Sequence, residues 1–249
     1  MTTKDMTLLL IRYLKVKNKG WIKSLRRGPT GIGYTFETLI GKQEENLPIA
    51  DFRGIEIKVK RRYSKGNITL FTANPDNEIF AIKRIYNEYG TCNYNKNFHK
   101  TFITSINSFE KKRKGNYNFI IKVDEKKQKI KLEIYDLNNN LVEDDISWSY
   151  ELIKEKIYFK IKNLAIVKAH VKKIGNEELF HYNHIDFYEI KSFETFVRLI
   201  KEGLISITFN INVYMDKKRY GNIYNHGTAF IININNIEKL YQKKDFQKK

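Results

Sequence analysis

Apolar and polar positions along the chain follow two periods, and the switches between them mark the elements. In "IEIKVK" (55–60), Ile55, Ile57 and Val59 alternate with Glu56, Lys58 and Lys60, which predicts a strand with one apolar and one charged face. "RRYSKGN" has the composition of a turn and "ITLFT" (68–72) that of a return strand, so a hairpin is expected. Upstream, "MTLLLIRYLKVK" (6–17) suits an amphipathic helix. Phe36, Leu39 and Ile40 fall at i, i+3 and i+4, predicting a short helix after the loop "RRGPTGIG" (26–33). Glu37 lies at the flank of that helix's apolar face. Asp76 is placed to cap a helix running to Tyr89, with Gly90 past its end.

The middle of the chain is strand-rich. "TFITSI" (101–106) is followed by "YNFIIKV" (117–123) and "KIKLEIYD" (129–136), the last two as a hairpin, and by a turn at 138–140. A helix around 149–158 precedes "NLAIVKAHV" (163–171), a buried strand. Ser192 caps the helix "FETFVRLIKEG", which Gly203 ends. "LISITFNINVYM" (204–215) is a long alternating strand. The basic turn "DKKRYGN" (216–222) leads back through "HGTAFIININ" (226–235) to a short helix and a basic tail. This order describes an α/β core with insertions.

Charge narrows the partners. With 46 basic and 28 acidic residues the chain carries a formal +18, which favours a polyanion: DNA, RNA or an anionic membrane surface. An apolar fraction of 41% excludes a disordered basic tail. No apolar run reaches the ~18 residues a membrane-spanning helix needs. The single cysteine, Cys92, excludes an intrachain disulfide and a Cys-based zinc site, so a cytoplasmic location is the default expectation. Only three prolines occur and no Gly/Ser linker is present, so two lobes would be woven together rather than tethered.

Asp51, Glu56 and Lys58 form D-x4-E-x-K. Glu56 and Lys58, two apart on a strand, point the same way, and Asp51 can reach that side across Gly54. Such a set suits Mg²⁺, which binds through one or two carboxylates plus substrate phosphate and water. A lysine beside the attacking water can orient it and stabilise developing negative charge. The Ile57 backbone carbonyl is a further candidate ligand. The same residues also fit a solvated strand face with Glu–Lys pairs, each worth a few tenths of a kcal/mol. The glycine-rich loop can offer backbone N–H groups to a phosphate or simply turn the chain before a helix.

"TGIGYTFE" (30–37), "ADFRGIEIK" (50–58), "TLFT" (69–72) and "NHGTAF" (225–230) together resemble the MvaI/BcnI family of restriction endonucleases, related to the nicking enzyme MutH within the PD-(D/E)xK nucleases. The resemblance runs over nearly the whole chain. It implies a MutH-like mixed sheet flanked by helices, with a second, strand-rich DNA-recognition lobe. The expected division is 1–90 and about 115–175 for the catalytic lobe, and about 91–114 and 176–249 for recognition. It implies Glu37, Asp51, Glu56 and Lys58 as the catalytic set, with Asp51, Glu56 and the Ile57 carbonyl on Mg²⁺ (Mn²⁺ substituting), Lys58 on the water and Glu37 in support. Ala50 stands where the superfamily has proline, a position that holds no ligand.

The implied activity is that of a sequence-specific, Mg²⁺-dependent endonuclease of a restriction–modification system. It would act as a monomer on duplex DNA at a short CCNGG-type site, with a methyltransferase as functional but not physical partner. A MutH-like repair nickase and a non-catalytic DNA-binding protein are the rival readings. Lys60, Arg61 and Arg62 would grip the backbone by phosphate contacts, which carry no sequence information. Base reading is expected from the hairpin around Asp216, Lys218, Arg219 and His226. There Arg219 could pair with guanine and Asp216 could accept from cytosine. Ile231 stands where relatives often have arginine, which bears on the sequence recognised. His99, His170, His181 and His184 carry no pattern that points to a metal.

Overall fold

The computed structural model describes residues 2–41, 50–93, 95 and 97–245. The chain forms two compact units, one from Met1–Gly66, Lys156–Lys191 and Ile237–Lys249, the other from Asn67–Glu155 and Ser192–Asn236. The crossings therefore fall at residues 66, 155, 191 and 236, not near 90, 115 and 175 as expected. The cause is local: strands Asn67–Thr72 and Tyr117–Asp124 find their partners in the second unit, and Glu177–Ile190 in the first. The end of the basic tail lies outside the described residues.

The first unit is built on a mixed sheet ordered Ile22–Lys23, Glu177–Ile190, Asn163–Ile174, Glu56–Arg61, with Tyr241–Lys244 pairing the second of these. Glu56–Arg61 runs parallel to Asn163–Ile174, and the other pairs are antiparallel. One face of this sheet carries Ile57, Ala165, Val167 and Phe187, which join Leu9 and Tyr13 of helix Thr3–Lys17 and Phe36 of helix Gly31–Leu39 in one core. Each Ile, Val, Leu or Phe among them contributes about 1.5–3 kcal/mol when fully buried. Phe36 and Tyr182 lie 5.1 Å apart, and the Tyr182 hydroxyl donates to the Ile32 carbonyl at 2.8 Å. Core and buried hydroxyl together fix the helix that bears Glu37.

The expected hairpin of 55–60 with 68–72 does not form. Asn67–Thr72 instead pairs antiparallel with Ala229–Asn233 in the second unit, while Glu56–Arg61 takes a parallel neighbour. A parallel pair needs a long crossover; here the chain between Arg61 and Asn163 supplies it. The parallel partner begins with five buried residues, Asn163–Val167, so it offers Glu56–Arg61 a more buried seat than a hairpin mate would.

The second unit holds a six-stranded sheet and a four-stranded antiparallel sheet of Lys112–Lys114, Tyr117–Asp124, Lys129–Tyr135 and Leu141–Ser149. Its core is aromatic: Phe71, Phe102, Phe119, Trp148, Phe196, Phe209 and Phe230 are all buried. The expected hairpin of Tyr117–Asp124 with Lys129–Tyr135 is present. So is the Ser192 cap, whose hydroxyl accepts from Thr195 N at 3.1 Å. Asp76 does not cap its helix. Asn77, at a left-handed φ of 61°, takes the cap position, and Asp76 accepts instead from Ser149 N and Oγ at 3.1 and 3.2 Å. Among the described residues no helix is long and apolar enough to cross a membrane.

Candidate active site

The site grows from a tight turn. Phe52 and Ile55 exchange both backbone hydrogen bonds, at 2.9 and 2.8 Å, across Arg53 (φ 46°) and Gly54 (φ 78°). Two consecutive left-handed residues are the mark of a type I′ turn, which glycine enters without steric cost. Asn163 Nδ2 ties this turn to the neighbouring strand by donating to the Gly54 carbonyl at 3.0 Å. The turn folds Asp51 back onto the strand it precedes, where its Oδ2 accepts from Ile57 N at 2.8 Å. A residue's N–H and C=O leave an extended strand on the same edge, so the Ile57 carbonyl also faces the Asp51 side.

Glu56 opens the strand on its charged face and is only 2% exposed. Its Oε1 accepts from Lys58 Nζ at 2.6 Å, while its Oε2 is buried without a protein partner. Burial raises the Glu56 carboxyl above its ordinary pKa; the Lys58 charge opposes this, Asp51 adds to it and Lys160 opposes it again. Tyr241, whose hydroxyl donates to the Ile161 carbonyl at 3.0 Å, is also raised, by burial first and by the Glu56 charge second. Burial therefore disfavours the negative charge of Glu56, with the Asp51 carboxylate close enough to add to the effect. An orphaned carboxylate oxygen, a second carboxylate and a backbone carbonyl make an all-oxygen donor set, which suits a hard divalent cation.

Asp51, Glu56 and Lys58 are thus brought together as expected. Glu37 sits half-buried on its helix, one turn from Gly33, whose position a Cβ would share at 3.7 Å from Glu37 Oε1. Among the described residues no group of three or more His, Cys, Asp or Glu side chains could hold a metal, so Glu37 does not complete such a trio. Strand alternation separates the neighbouring cations. Lys60 stays on the Glu56–Lys58 face, where burial lowers its ammonium pKa. Arg61 turns to the other face and meets Glu178 with Nη1 and Nη2 both at 3.1 Å. Arg62 donates its backbone N–H to Ala169 at 2.8 Å.

Three residues absent from the sequence-based set lie on the same face. Asp186, 7% exposed, accepts from Lys243 Nζ and bonds to His184 Nε2, each at 2.7 Å, with Lys168 Nζ at 3.8 Å. Burial alone would raise the Asp186 carboxyl, but the hydrogen bonds and charges of Lys243 and His184 hold it below its ordinary pKa. The signal was present in "FHYNHIDFYEI", where His184, Asp186 and Tyr188 alternate, but a strand over Glu177–Ile190 was not predicted.

The sequence model of the MvaI/BcnI restriction endonuclease family matches residues 11–241. The chain belongs to the MvaI/BcnI restriction endonuclease family. It is accordingly a type II site-specific deoxyribonuclease. Among solved structures, "Restriction endonuclease MvaI-cognate DNA substrate complex" is 29% identical with a TM-score of 0.89, covering 98% of this chain and 99% of that one. "Restriction endonuclease MvaI in the absence of DNA" is 27% identical with a TM-score of 0.64, covering 98% of each. No curated protein matches the chain.

In this family member the residues expected to read bases lie in the second unit, around a turn. Asp216 Oδ2 meets Arg219 Nη2 at 2.9 Å and Nε at 3.2 Å, and the Arg219 guanidinium lies 3.8 Å above the Tyr214 ring. Tyr214 stacks on Tyr224 at 4.3 Å, and Tyr224 meets the edge of His226 at 4.6 Å. A cavity of about 280 Å³ is lined by Tyr214, Met215, Tyr224 and His226. Lys218 is exposed on the same turn. Hydrogen bonds from Arg219 hold the Asp216 carboxyl below its ordinary pKa.

Proposed function

We propose that the chain is a Mg²⁺-dependent endonuclease that cuts duplex DNA at a short CCNGG-type site, with the first unit hydrolysing the phosphodiester and the second reading bases. The observation that carries the catalytic half is Glu56: a buried carboxylate with one oxygen on Lys58 and the other without a partner. Nuclease members of such families generally use a divalent metal. Asp51, Glu56 and the Ile57 carbonyl would hold it, and Glu37 would support that shell. When bound, the cation supplies charge stabilisation at the scissile phosphate and a lowered pKa for the attacking water.

The protein's own groups then have separate tasks. Lys58 carries three N–H donors. One lies on Glu56 Oε1, and the others can hold the attacking water and a phosphate oxygen. Asp51 is held beside the strand by the hydrogen bond its Oδ2 accepts from Ile57 N. Burial of Glu56 excludes water from one side of the site, which strengthens each charge interaction there. The base-reading half rests on Arg219, Asp216, Lys218 and His226, and the CCNGG-type site on the family resemblance. A monomer nicking each strand in turn, with a cognate DNA methyltransferase as functional but not physical partner, completes the reading.

Supercoiled plasmid, purified protein and Mg²⁺ test it. Discrete linear fragments that map to one short sequence are the expected product, and EDTA should abolish them. Nicked circles alone would favour a repair nickase, and no cleavage with Mg²⁺ or Mn²⁺ would overturn the enzyme reading.

A further inference from the structure

Beyond Lys58, the charged face of the first unit's sheet continues for one more row. Lys58, Ile166 and Asp186 are register partners across three strands, and so are Lys60, Lys168 and His184. Register partners on neighbouring strands project to the same face, and successive rows lie about 7 Å apart along the strands. Lys60, Lys168 and His184 are each partly exposed. A shift in register between Lys168 and Ala169 leaves Asn183 unpaired at the end of this row. A bulge re-aims side chains, and here it sends Tyr182 to the core face while His184 stays on the charged one.

Asp186 sits behind the row. Its Oδ1 takes Lys243, and its Oδ2 takes His184 and faces Lys168. Stability does not ask for this arrangement. Buried ion pairs are frequently no more stabilising than apolar side chains of similar size, and residues 185 and 187, immediately beside Asp186, are Ile and Phe packed into the core. A buried carboxylate that holds one imidazole and one ammonium, and faces a second ammonium, fixes their positions at the expense of their mobility. A histidine ring donates from both nitrogens once protonated, so His184 can bridge Asp186 and a second anion.

We propose that Lys60, Lys168 and His184, braced by Asp186, form a second phosphate site on the first unit, which takes a DNA backbone phosphate adjacent to the one being cut. Lys168 and His184 touch the phosphate; Asp186 is a positioning residue that acts through them. The site rests on the reading of Glu56 and Lys58 as the centre of hydrolysis, since its distance from them selects the neighbouring phosphate.

Single-turnover cleavage of duplex DNA, with enzyme concentration and salt both varied, tests this. Lys168→Gln should raise the half-saturating enzyme concentration about tenfold at moderate salt and lower the slope of log affinity against log salt by about 0.9, the value of one phosphate contact. Lys168→Arg should restore both. Asp186→Asn adds net positive charge, so bulk electrostatics predicts tighter binding, whereas loss of the brace predicts weaker binding. An unchanged salt slope in Lys168→Gln, or tighter binding in Asp186→Asn, would overturn the proposal. Thermal unfolding of each variant shows whether it is folded; should Asp186→Asn not fold, the Lys168→Gln and Lys168→Arg pair decides alone. Failure of the wild-type protein to cut any duplex would fall on the hydrolytic reading itself, not on this second site.

Discussion

The two faces of the first unit's sheet are made by the same strands and behave as different materials. On one face Ile57, Val59, Ala165, Val167, Ile185 and Phe187 pack against two helices. On the other, Glu56, Lys58, Lys60, Lys168, His184 and Asp186 gather charge, some of it deeply buried. Glu56 and Ile57 are neighbours in sequence and are 2% and 3% exposed, yet one is held in an environment that disfavours its charge and the other in one that suits it. The apolar face supplies the stability that lets the charged face keep a carboxylate oxygen without a partner. Period-two alternation makes that division possible within six residues.

The comparison can be broken by substitutions on either side. On the charged face, Lys58→Gln should lower single-turnover cleavage by about 10²–10⁴-fold, the range for a lost proton-handling or water-orienting group. Its metal-free unfolding midpoint should fall at neutral pH, because Glu56 loses the charge that opposes its burial, and the loss should shrink as pH falls. On the apolar face, Ile57→Ala should cost about 2–5 kcal/mol in chemical denaturation, as for other buried Ile truncations. Its cleavage rate at a temperature where it stays folded should remain close to wild type. A drop in rate as large as that of Lys58→Gln would show that the two faces are not separable.

Smaller effects sharpen the contrast. Because burial raises the folded-state pKa of Glu56, the folded metal-free protein holds that proton more tightly than the unfolded chain. Stability from this group is present below its ordinary value of 4.5 and is lost as pH rises through the raised value. Glu56→Gln should therefore raise the metal-free Tm at neutral pH, with the gap closing as pH falls. Asp186 has the opposite sign: its lowered pKa contributes stability above the usual aspartate range that is lost in acid. A Glu56→Gln protein less stable than wild type at neutral pH would contradict the assignment of strain to that carboxylate. Least of all should Arg61→Gln matter to stability, because its pairing with Glu178 lies at the surface. A change under about 1 kcal/mol in denaturant unfolding is expected.

Much of this division was legible in the sequence, since "IEIKVK" alternates in plain view and the D-x4-E-x-K spacing fixed which residues could meet. The seven-residue reach from Asp51 to Ile57 needed only one tight turn, and Gly54 advertised it. What the sequence hid was pairing. Alternation shows which residues share a face but not which strand lies alongside, so Glu56–Arg61 looked like half of a hairpin rather than the parallel partner of a strand a hundred residues on. For the same reason Lys168, His184 and Asp186 were unreadable as companions of Lys58: they join it through register across two further strands. The cap at Asp76 failed for a different reason, a competing partner at Ser149 that only tertiary folding brings close.

The central claim is that Glu56 serves cleavage and not the fold or DNA affinity. Its most direct test is Glu56→Ala assayed in parallel for duplex binding and for single-turnover cleavage with Mg²⁺. Binding close to wild type with no detectable product is the predicted result. Product formed at or near the wild-type rate would contradict it.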